Sequence, residues 1–283
     1  MRTLPLAVQQ VVQRALEEDL GWGDITTDAL ISPSLGGRAV ALAKADGILA
    51  GLQVFALAFH TVNPAVQVEA LLADGNRIQP GVHLARVQGP AASILKGERV
   101  ALNFLQRLSG IATETARYVE AVKGLPARIV DTRKTTPGLR WLEKYAVRVG
   151  GGHNHRFNLG DGILIKDNHI EASRAQGLSL AAIIAKMRDY APHTLKVEIE
   201  VTSVEMAAEA AEAGADAILL DNMSPEQMKE AVQAIGGRAL TEASGGIRLN
   251  TVRAVAEAGV DIISVGAITH SVPALDISLE LEA

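Results

Sequence analysis

Residues 195–267 read LKVEIEVTSVEMAAEAAEAGADAILLDNMSPEQMKEAVQAIGGRALTEASGGIRLNTVRAVAEAGVDIISVGA, and this stretch decides the architecture. Short apolar runs, Leu195 to Val201, Ala217 to Leu220, Ala239 to Glu242 and Ile262 to Val265, alternate with amphipathic segments. Those segments are Val204 to Ala213 before Gly214, Pro225 to Ala234 before Gly236, and Asn250 to Ala258 before Gly259. Each has helical spacing and a glycine stop. Alternation of this kind predicts parallel strands joined by right-handed crossover helices.

Two more runs lie upstream, Arg128 to Asp131 and Ile163 to Lys166, which makes six expected strands. Every run ends in residues capable of chemistry: Asp131-Thr132-Arg133-Lys134, Lys166-Asp167-Asn168, Glu198 with Glu200, Asp221-Asn222, Glu242 to Gly246, and Ser264 to Ala267. An open sheet would spread these along an edge, whereas a (β/α) barrel gathers all strand C-termini at one mouth. A complete barrel has about eight strands, so six predict an incomplete one. The fold class expected is α/β, an incomplete barrel with a smaller N-terminal α+β sandwich domain.

That smaller domain is read from the first hundred residues. Leu6, Val11, Val12, Ala15, Leu16 and Leu20 suggest a helix that starts near Pro5 and stops at Gly21. Strand-like pieces follow at Gly37 to Lys44, Gln67 to Leu72 and His83 to Gln88, with turns at Asp74-Gly75 and Pro80-Gly81 and a helix over Gly51 to Thr61. A long helix from about Gly97 to Lys123 leads into the barrel. The boundaries expected are 1–112 for the sandwich, 113–271 for the barrel, and 272–283 for a C-terminal segment that returns to the first domain.

Composition narrows the function. With 283 residues, 48% of them apolar, the chain can bury a substantial core, and with no cysteine it has no thiolate ligand, disulfide or cysteine nucleophile. No apolar run approaches the roughly 20 residues needed to cross a bilayer, and Met1 to Gln10 lacks the pattern of a signal peptide, so a cytoplasmic protein without a membrane partner is expected. A net charge of −5 argues against a general nucleic-acid binder. Between Asp131 and Asn168, however, seven basic residues face four acidic ones, a local +3 in a chain that is −8 elsewhere. A basic focus of this size suits a small, highly anionic ligand. Arg140, Lys144 and Arg148 recur at helical spacing and read as a solvated helix face instead.

The remaining residues divide into three groups. Ser244-Gly245-Gly246 and Ser264-Val265-Gly266-Ala267 follow the last two strands, where glycines let backbone N–H groups approach phosphate oxygens. Arg133, Lys134, His155, Arg156 and Lys166 can hold carboxylates and a pyrophosphate through forks and point charges. His153 and His155 have no evident third ligand for zinc and read equally well as structural. Glu198 and Glu200 share one face of a strand and Asp221 ends the next. Salt-bridging is a serious alternative for Glu198, while Glu200 and Asp221 suit Mg2+ and ribose hydroxyls.

These blocks, with Glu18 to Thr27, Leu102 to Gly110, Asp131 to Gly138, Asn154-His155-Arg156, Leu164 to His169, Glu198-Ile199-Glu200, Leu220 to Met223, Ala243 to Gly246 and Ser264 to Ala267, resemble the quinolinate phosphoribosyltransferase family in order and from end to end. The resemblance implies transfer of phosphoribosyl from phosphoribosyl pyrophosphate to quinolinate with loss of CO2, in NAD biosynthesis. It implies that Lys134, Lys166, Glu200 and Asp221 are catalytic and that Glu200 and Asp221 serve Mg2+. Thr132, Arg133, Lys134, His155, Arg156 and Lys166 would line the substrate pocket, with Ser244, Gly245, Gly246, Ser264, Val265, Gly266 and Ala267 around the 5′-phosphate. It further implies a homodimer or larger assembly with shared sites, in which Arg107 reaches the neighbouring subunit's pocket.

Other readings use parts of the same pattern. A nicotinate phosphoribosyltransferase or a paralogue linked to molybdenum transport would not release CO2 from quinolinate. A barrel lyase or aldolase acting on a sugar phosphate would use Lys166 as a Schiff-base amine. A phosphate-binding module without catalysis would not require both an acidic and a basic wall.

Overall fold

Val8, Val12 and Leu16 recur every four residues along the first helix of the computed structural model, which describes residues 4–282. They form the buried stripe of α1 (Leu6–Leu20) that packs on α3 (Leu52–Val62). Between these lie α2 (Ile25–Leu30), β1 (Gly36–Ala43) and β2 (Gly47–Ile48). Sequence reading omitted α2, yet Asp24 is a strong N-cap whose carboxylate accepts from Thr27 N–H at 2.9 Å. β3 (Gln67–Ala70), β4 (Arg77–Ile78), β5 (His83–Pro90) and α4 (Ala91–Ala121) follow. Among the buried residues of α4, Ile94, Ala101, Leu105, Leu108 and Ala112 form one stripe, spaced by three, four or seven residues.

After β6 (Arg128–Val130) come α5 (Arg140–Val149), β7 (Ile163–Ile165), α6 (Asp167–Arg174) and α7 (Leu180–Tyr190). The chain then alternates strictly through β8 (Val197–Val201), α8 (Val204–Glu212), β9 (Ala217–Asp221), α9 (Pro225–Ile235), β10 (Leu240–Ser244), α10 (Val252–Glu257) and β11 (Ile262–Ser264). It closes with α11 (Ala267–His270) and β12 (Ile277–Glu282).

Two compact units result. The first comprises the chain up to Ala116, Thr135–Gly151 and the segment from Thr269 onward. Its antiparallel sheet has the order β12-β1-β5-β3, with β2 and β4 as a separate pair. The C-terminal strand runs along β1 from Arg38↔Glu282 to Ala43↔Ile277. Its approach crosses α4 at Gly110, where any Cβ would overlap the carbonyl of Pro273. The expected boundaries 1–112, 113–271 and 272–283 thus miss an excursion: α5 packs with the first unit. Tyr145 of α5 donates to Asp74 at 2.6 Å, and Glu143 of α5 pairs with Arg107 of α4 at 2.9 Å. The expectation of a solvated face on α5 also fails, since Lys144 is only 2% exposed and Arg140 is half-buried, leaving Arg148 exposed.

The second unit, Arg117–Lys134 with Gly152–Ile268, holds six parallel strands in the order β6-β11-β10-β9-β8-β7. β9 reads AILLD and is buried on both faces, as a parallel strand covered by helices should be. Ser203 and Ser224 cap α8 and α9, Pro225 opens α9, and Gly236 closes it in the left-handed conformation. β6 and β7 end the sheet without pairing, so the barrel is open; beside β6, a single bridge from Val130 to His153 extends it. Among the described residues no helix is long and apolar enough to cross a membrane.

Candidate active site

Parallel pairing fixes which residues share a level of the open barrel. Glu200 is next to last in β8, and Asp221, Ser244 and Ser264 end β9, β10 and β11, with Asp221 in register with Ser244. Thr132 to Lys134 and Lys166 directly follow β6 and β7. The second unit therefore brings Arg133, Lys134, Lys166, Glu200 and Asp221 to the C-terminal end of its strands, while Arg156 and His155 line an interior cavity with Glu198, Glu242 and the strand-start residues Ala217 and Leu240. Arg107 belongs to the first unit.

The basic side is built on a buried carboxylate. Asp131, fully buried, accepts from His155 N–H at 2.9 Å and from Asn154 Nδ2 at 2.5 Å, which draws the loop after Gly152 onto β6. Arg156 then donates from Nη1 to the Gly162 carbonyl at 2.9 Å. Burial and the adjacent Arg133 charge hold the Arg156 guanidinium below its ordinary pKa, with Glu198 acting in the opposite sense. Two guanidinium groups close enough to repel form a site that an anion would relieve. Thr132 shapes the same loop, its Oγ1 accepting from Lys134 N–H at 3.0 Å, and the Lys134 side chain is exposed.

On the acidic side, Lys166 Nζ lies 3.8 Å from Glu200 Oε2. Burial pushes the Glu200 carboxyl up, Lys166 pulls it down, and the charges of Asp221 and Asp167 push it up further. Three carboxylates near one lysine make a place where a hard cation fits. They do not form a protein cage, since among the described residues the cluster with metal-ligand spacing is His155, Glu198 and Glu242. Mg2+ commonly takes one or two carboxylates and completes its shell with water and substrate phosphate, and Glu200 and Asp221 are the residues that would supply those carboxylates. Asp221 also accepts from Asn222 Nδ2 at 2.7 Å.

The glycine loops differ from each other. Gly245 has φ +93° and lies against Asn222, itself left-handed at φ +54° and donating its N–H to the Ser244 carbonyl at 2.9 Å. A non-glycine residue in that conformation marks local strain at a functional loop. A helix N-terminus lies farther from this loop than from the next, because α10 begins only at Val252, whereas Ala267 opens α11 directly. Ser264 is buried with Oγ donating to the Ala243 carbonyl at 3.3 Å, and Val265 is buried with its N–H spent on the Val130 carbonyl at 2.9 Å. Both therefore hold the loop in shape, and Gly266 and Ala267 form its more open part.

His155 is more deeply engaged than the sequence suggested. Its Nε2 lies 3.3 Å from Glu198 Oε2 and 3.5 Å from Glu242 Oε1, while Nδ1 accepts the Arg156 N–H at 2.7 Å. Glu242 is in ion-pair range but not aligned to accept a hydrogen bond with that oxygen. Burial favours a neutral ring, and the two glutamates outweigh it, pushing the pKa up to about 10. Protonating Nδ1, however, would set one N–H against another at 2.7 Å. That short contact is the firmer constraint, and it assigns the neutral tautomer with hydrogen on Nε2. Glu198 is raised by burial, the largest influence on it, although His155 pulls it down.

Arg107 is neither an exposed helix residue nor free of its own chain. It is 25% exposed and donates to Glu143, whose carboxylate is fully buried, to Thr136 Oγ1, and to the carbonyls of Thr269 and Val272. Sequence reasoning named Asp131, Asp167, Asn222 and Glu242 among the chemistry-bearing strand ends and Asn154 within a family block, but gave none of them a role in the site. A glutamate in an otherwise apolar buried strand was the available signal for Glu242, and an Asx residue after a strand end was the signal for Asn222.

Comparison with known proteins agrees with this geometry. The family models for the quinolinate phosphoribosyl transferase N-terminal and C-terminal domains match residues 24–109 and 111–280. A probable nicotinate-nucleotide pyrophosphorylase [carboxylating] of Bacillus subtilis is 43% identical over 98% of this chain and 94% of its own. Among solved structures, NadC from Streptococcus pyogenes is 44% identical with TM-score 0.94, covering 100% of this chain and 99% of its own. The nicotinate-nucleotide pyrophosphorylase from Francisella tularensis is 36% identical with TM-score 0.91, covering 99% and 98%. With an open barrel, opposed basic and acidic walls and both domains matched in order, the chain belongs to the quinolinate phosphoribosyltransferase family.

Proposed function

We propose that this chain transfers the phosphoribosyl group from phosphoribosyl pyrophosphate to quinolinate and releases pyrophosphate and CO2, giving nicotinate mononucleotide. The observation that carries the reading is the basic group Arg133, Lys134 and Lys166 set on the same strand ends as the acidic Glu200 and Asp221, with Lys166 Nζ 3.8 Å from Glu200 Oε2. A dicarboxylate relieves the first group, and a developing sugar cation is stabilised by the second.

Arg133 and Arg156 hold the two carboxylates, and Lys134 and Lys166 add positive charge for the pyrophosphate. The Ser244 to Gly246 and Ser264 to Ala267 loops fix the 5′-phosphate. As the C1–O bond to pyrophosphate breaks, positive charge gathers on the ribose ring, and Glu200 and Asp221 lie on the acidic wall that offsets it. The pyridine nitrogen supplies the electron pair for the new C1–N bond. Loss of the adjacent carboxylate as CO2 then leaves its electron pair beside a quaternary nitrogen, and that carbon takes up a proton. Glu200 and Asp221 would hold Mg2+, which neutralises charge on the diphosphate when bound. A Schiff-base lyase reading of Lys166 finds no support in the comparisons, and its amine is in an ion pair with Glu200.

A homodimer with shared sites is part of the proposal, supported by the strongly exposed Trp22, Ile25 and Leu30 around α2, which suit burial against a second copy. Assay of CO2 released from carboxyl-labelled quinolinate, with phosphoribosyl pyrophosphate and Mg2+, tests the activity. Release that requires both substrates is expected; none, or release without the sugar diphosphate, would overturn it.

A further inference from the structure

Glu143 sits on α5 with no exposed surface, and a carboxylate buried this deeply is destabilising unless charged and hydrogen-bonding partners offset its desolvation. Its partners are few and specific. Oε1 accepts from Arg107 Nε at 3.2 Å and from Arg107 Nη2 at 2.9 Å, and Oε2 accepts from the Thr136 N–H at 3.0 Å. Docking α5 does not need this charge, because Leu142, Ala146 and Val147 are buried on the same helix and Tyr145 separately reaches Asp74. An apolar side chain could dock the helix as well. What only the carboxylate does is grip a guanidinium by its Nε–Nη2 edge.

Arg107 has five N–H donors. Nε and Nη2 are spent on Glu143, Thr136 Oγ1 and the Thr269 carbonyl, and Nη1 gives one hydrogen to the Val272 carbonyl at 3.1 Å. Among the described residues that leaves one Nη1 hydrogen unspent, on a side chain that is 25% exposed. The group is fixed in orientation and still presents a charged donor.

We propose that Glu143 is a positioning residue: it holds the Arg107 fork by one edge so that the remaining Nη1 donor meets a carboxylate of the dicarboxylate in the neighbouring subunit's pocket. The inference rests on the proposed activity and on the proposed sharing of sites.

The test uses heterodimers isolated through two affinity tags, with Arg133→Ala on one chain so that a single barrel is intact. Glu143→Gln, which keeps the shape and removes the charge, is placed either on the Arg133→Ala chain, whose Arg107 would serve the intact barrel, or on the other chain. Arg107→Lys is placed in the same two ways. Both substitutions should raise KM for quinolinate roughly tenfold in the first arrangement, the scale of a charge-assisted hydrogen bond, with kcat within about twofold. In the second arrangement the rise should be much smaller. If Glu143→Gln acts from the opposite chain to Arg107→Lys, it works through Thr136 on its own barrel, and if it acts equally from both it loosens the fold; either result overturns the proposal. Both substitutions acting from the chain with the intact barrel would refute the sharing of sites instead. Should Glu143→Gln fail to fold, Glu143→Asp, which keeps the charge and withdraws it from the fork, is read in the same way.

A wild-type dimer without quinolinate-dependent CO2 release would refute the proposed activity, and the grip on Arg107 is then decided by its 15N resonance, assigned with Arg107→Lys. An Nε–H protected from exchange in wild type and exchanging fast in Glu143→Gln is expected. Protection unchanged by the substitution would show that Glu143 does not hold the fork.

Discussion

Arg133 shows how one residue can separate two ligands. Its charge lowers the Arg156 pKa alongside burial, and under the proposed function both forks face a dicarboxylate. Arg133→Ala should raise KM for quinolinate by roughly 10- to 100-fold, since it leaves a desolvated carboxylate without its fork. KM for phosphoribosyl pyrophosphate should change far less. Isothermal titration with each ligand separately checks this, and equal losses would move Arg133 from the dicarboxylate to the pyrophosphate.

At the level of elements, two contacts predict measurable effects. The β10 loop depends on Gly245: at φ +93° an alanine is strained, and its Cβ would overlap Asn222 Oδ1. Gly245→Ala should raise KM for phosphoribosyl pyrophosphate roughly tenfold, the scale of a strained loop that has to reopen. Quinolinate binding measured on the same protein should hold. The second contact docks α5. Asp74 takes N–H groups from Gly51 and Leu52 at the start of α3 and the Tyr145 hydroxyl from α5. Burial, followed by the Asp74 charge, pushes the Tyr145 phenol well above its ordinary pKa. A raised folded value means that the stability it contributes is complete below about pH 10, the unfolded value, and is lost as pH climbs from there through the higher folded value. Tyr145→Phe should therefore cost about 1 kcal/mol in urea unfolding at neutral pH, with the gap to wild type narrowing in strong alkali. A gap that widens with pH would reverse the assignment.

On the scale of the whole molecule, Arg107 is the residue through which the proposed sharing of sites can be tested. Its bonds to Glu143, Thr136, Thr269 and Val272 tie α4 to α5 and to the C-terminal segment of the same chain. Removing the charge would strand the buried Glu143 at a cost of about 3–5 kcal/mol, so Arg107→Lys is the variant that isolates the fork from the charge. If Arg107 completes a neighbouring subunit's site, Arg107→Lys and Arg133→Ala homodimers should both be nearly inactive. Reassociated together, about half the dimers should be mixed, each with one intact site, returning roughly a quarter of wild-type sites. Activity no higher than the mean of the two variants, with exchange confirmed by mass spectrometry, would confine Arg107 to its own chain.

Local rules in the sequence determined most of the architecture. Apolar runs and glycine stops placed all six parallel strands and the three helices that follow β8, β9 and β10, because each element is specified by neighbours within a few residues. Strand-end chemistry likewise marked Arg133, Lys166, Glu200 and Asp221, since parallel strands send their C-terminal residues to one end. Three things needed the tertiary structure. The placement of α5 with the first unit depends on partners far away in sequence, Asp74 and Arg107, which no periodicity records. The left-handed turn at Asn222 is imposed by the close approach of Gly245. The ring of His155 is held by Arg156, Glu198 and Glu242 together, and two glutamates from separate strands reach one ring only once those strands are in register.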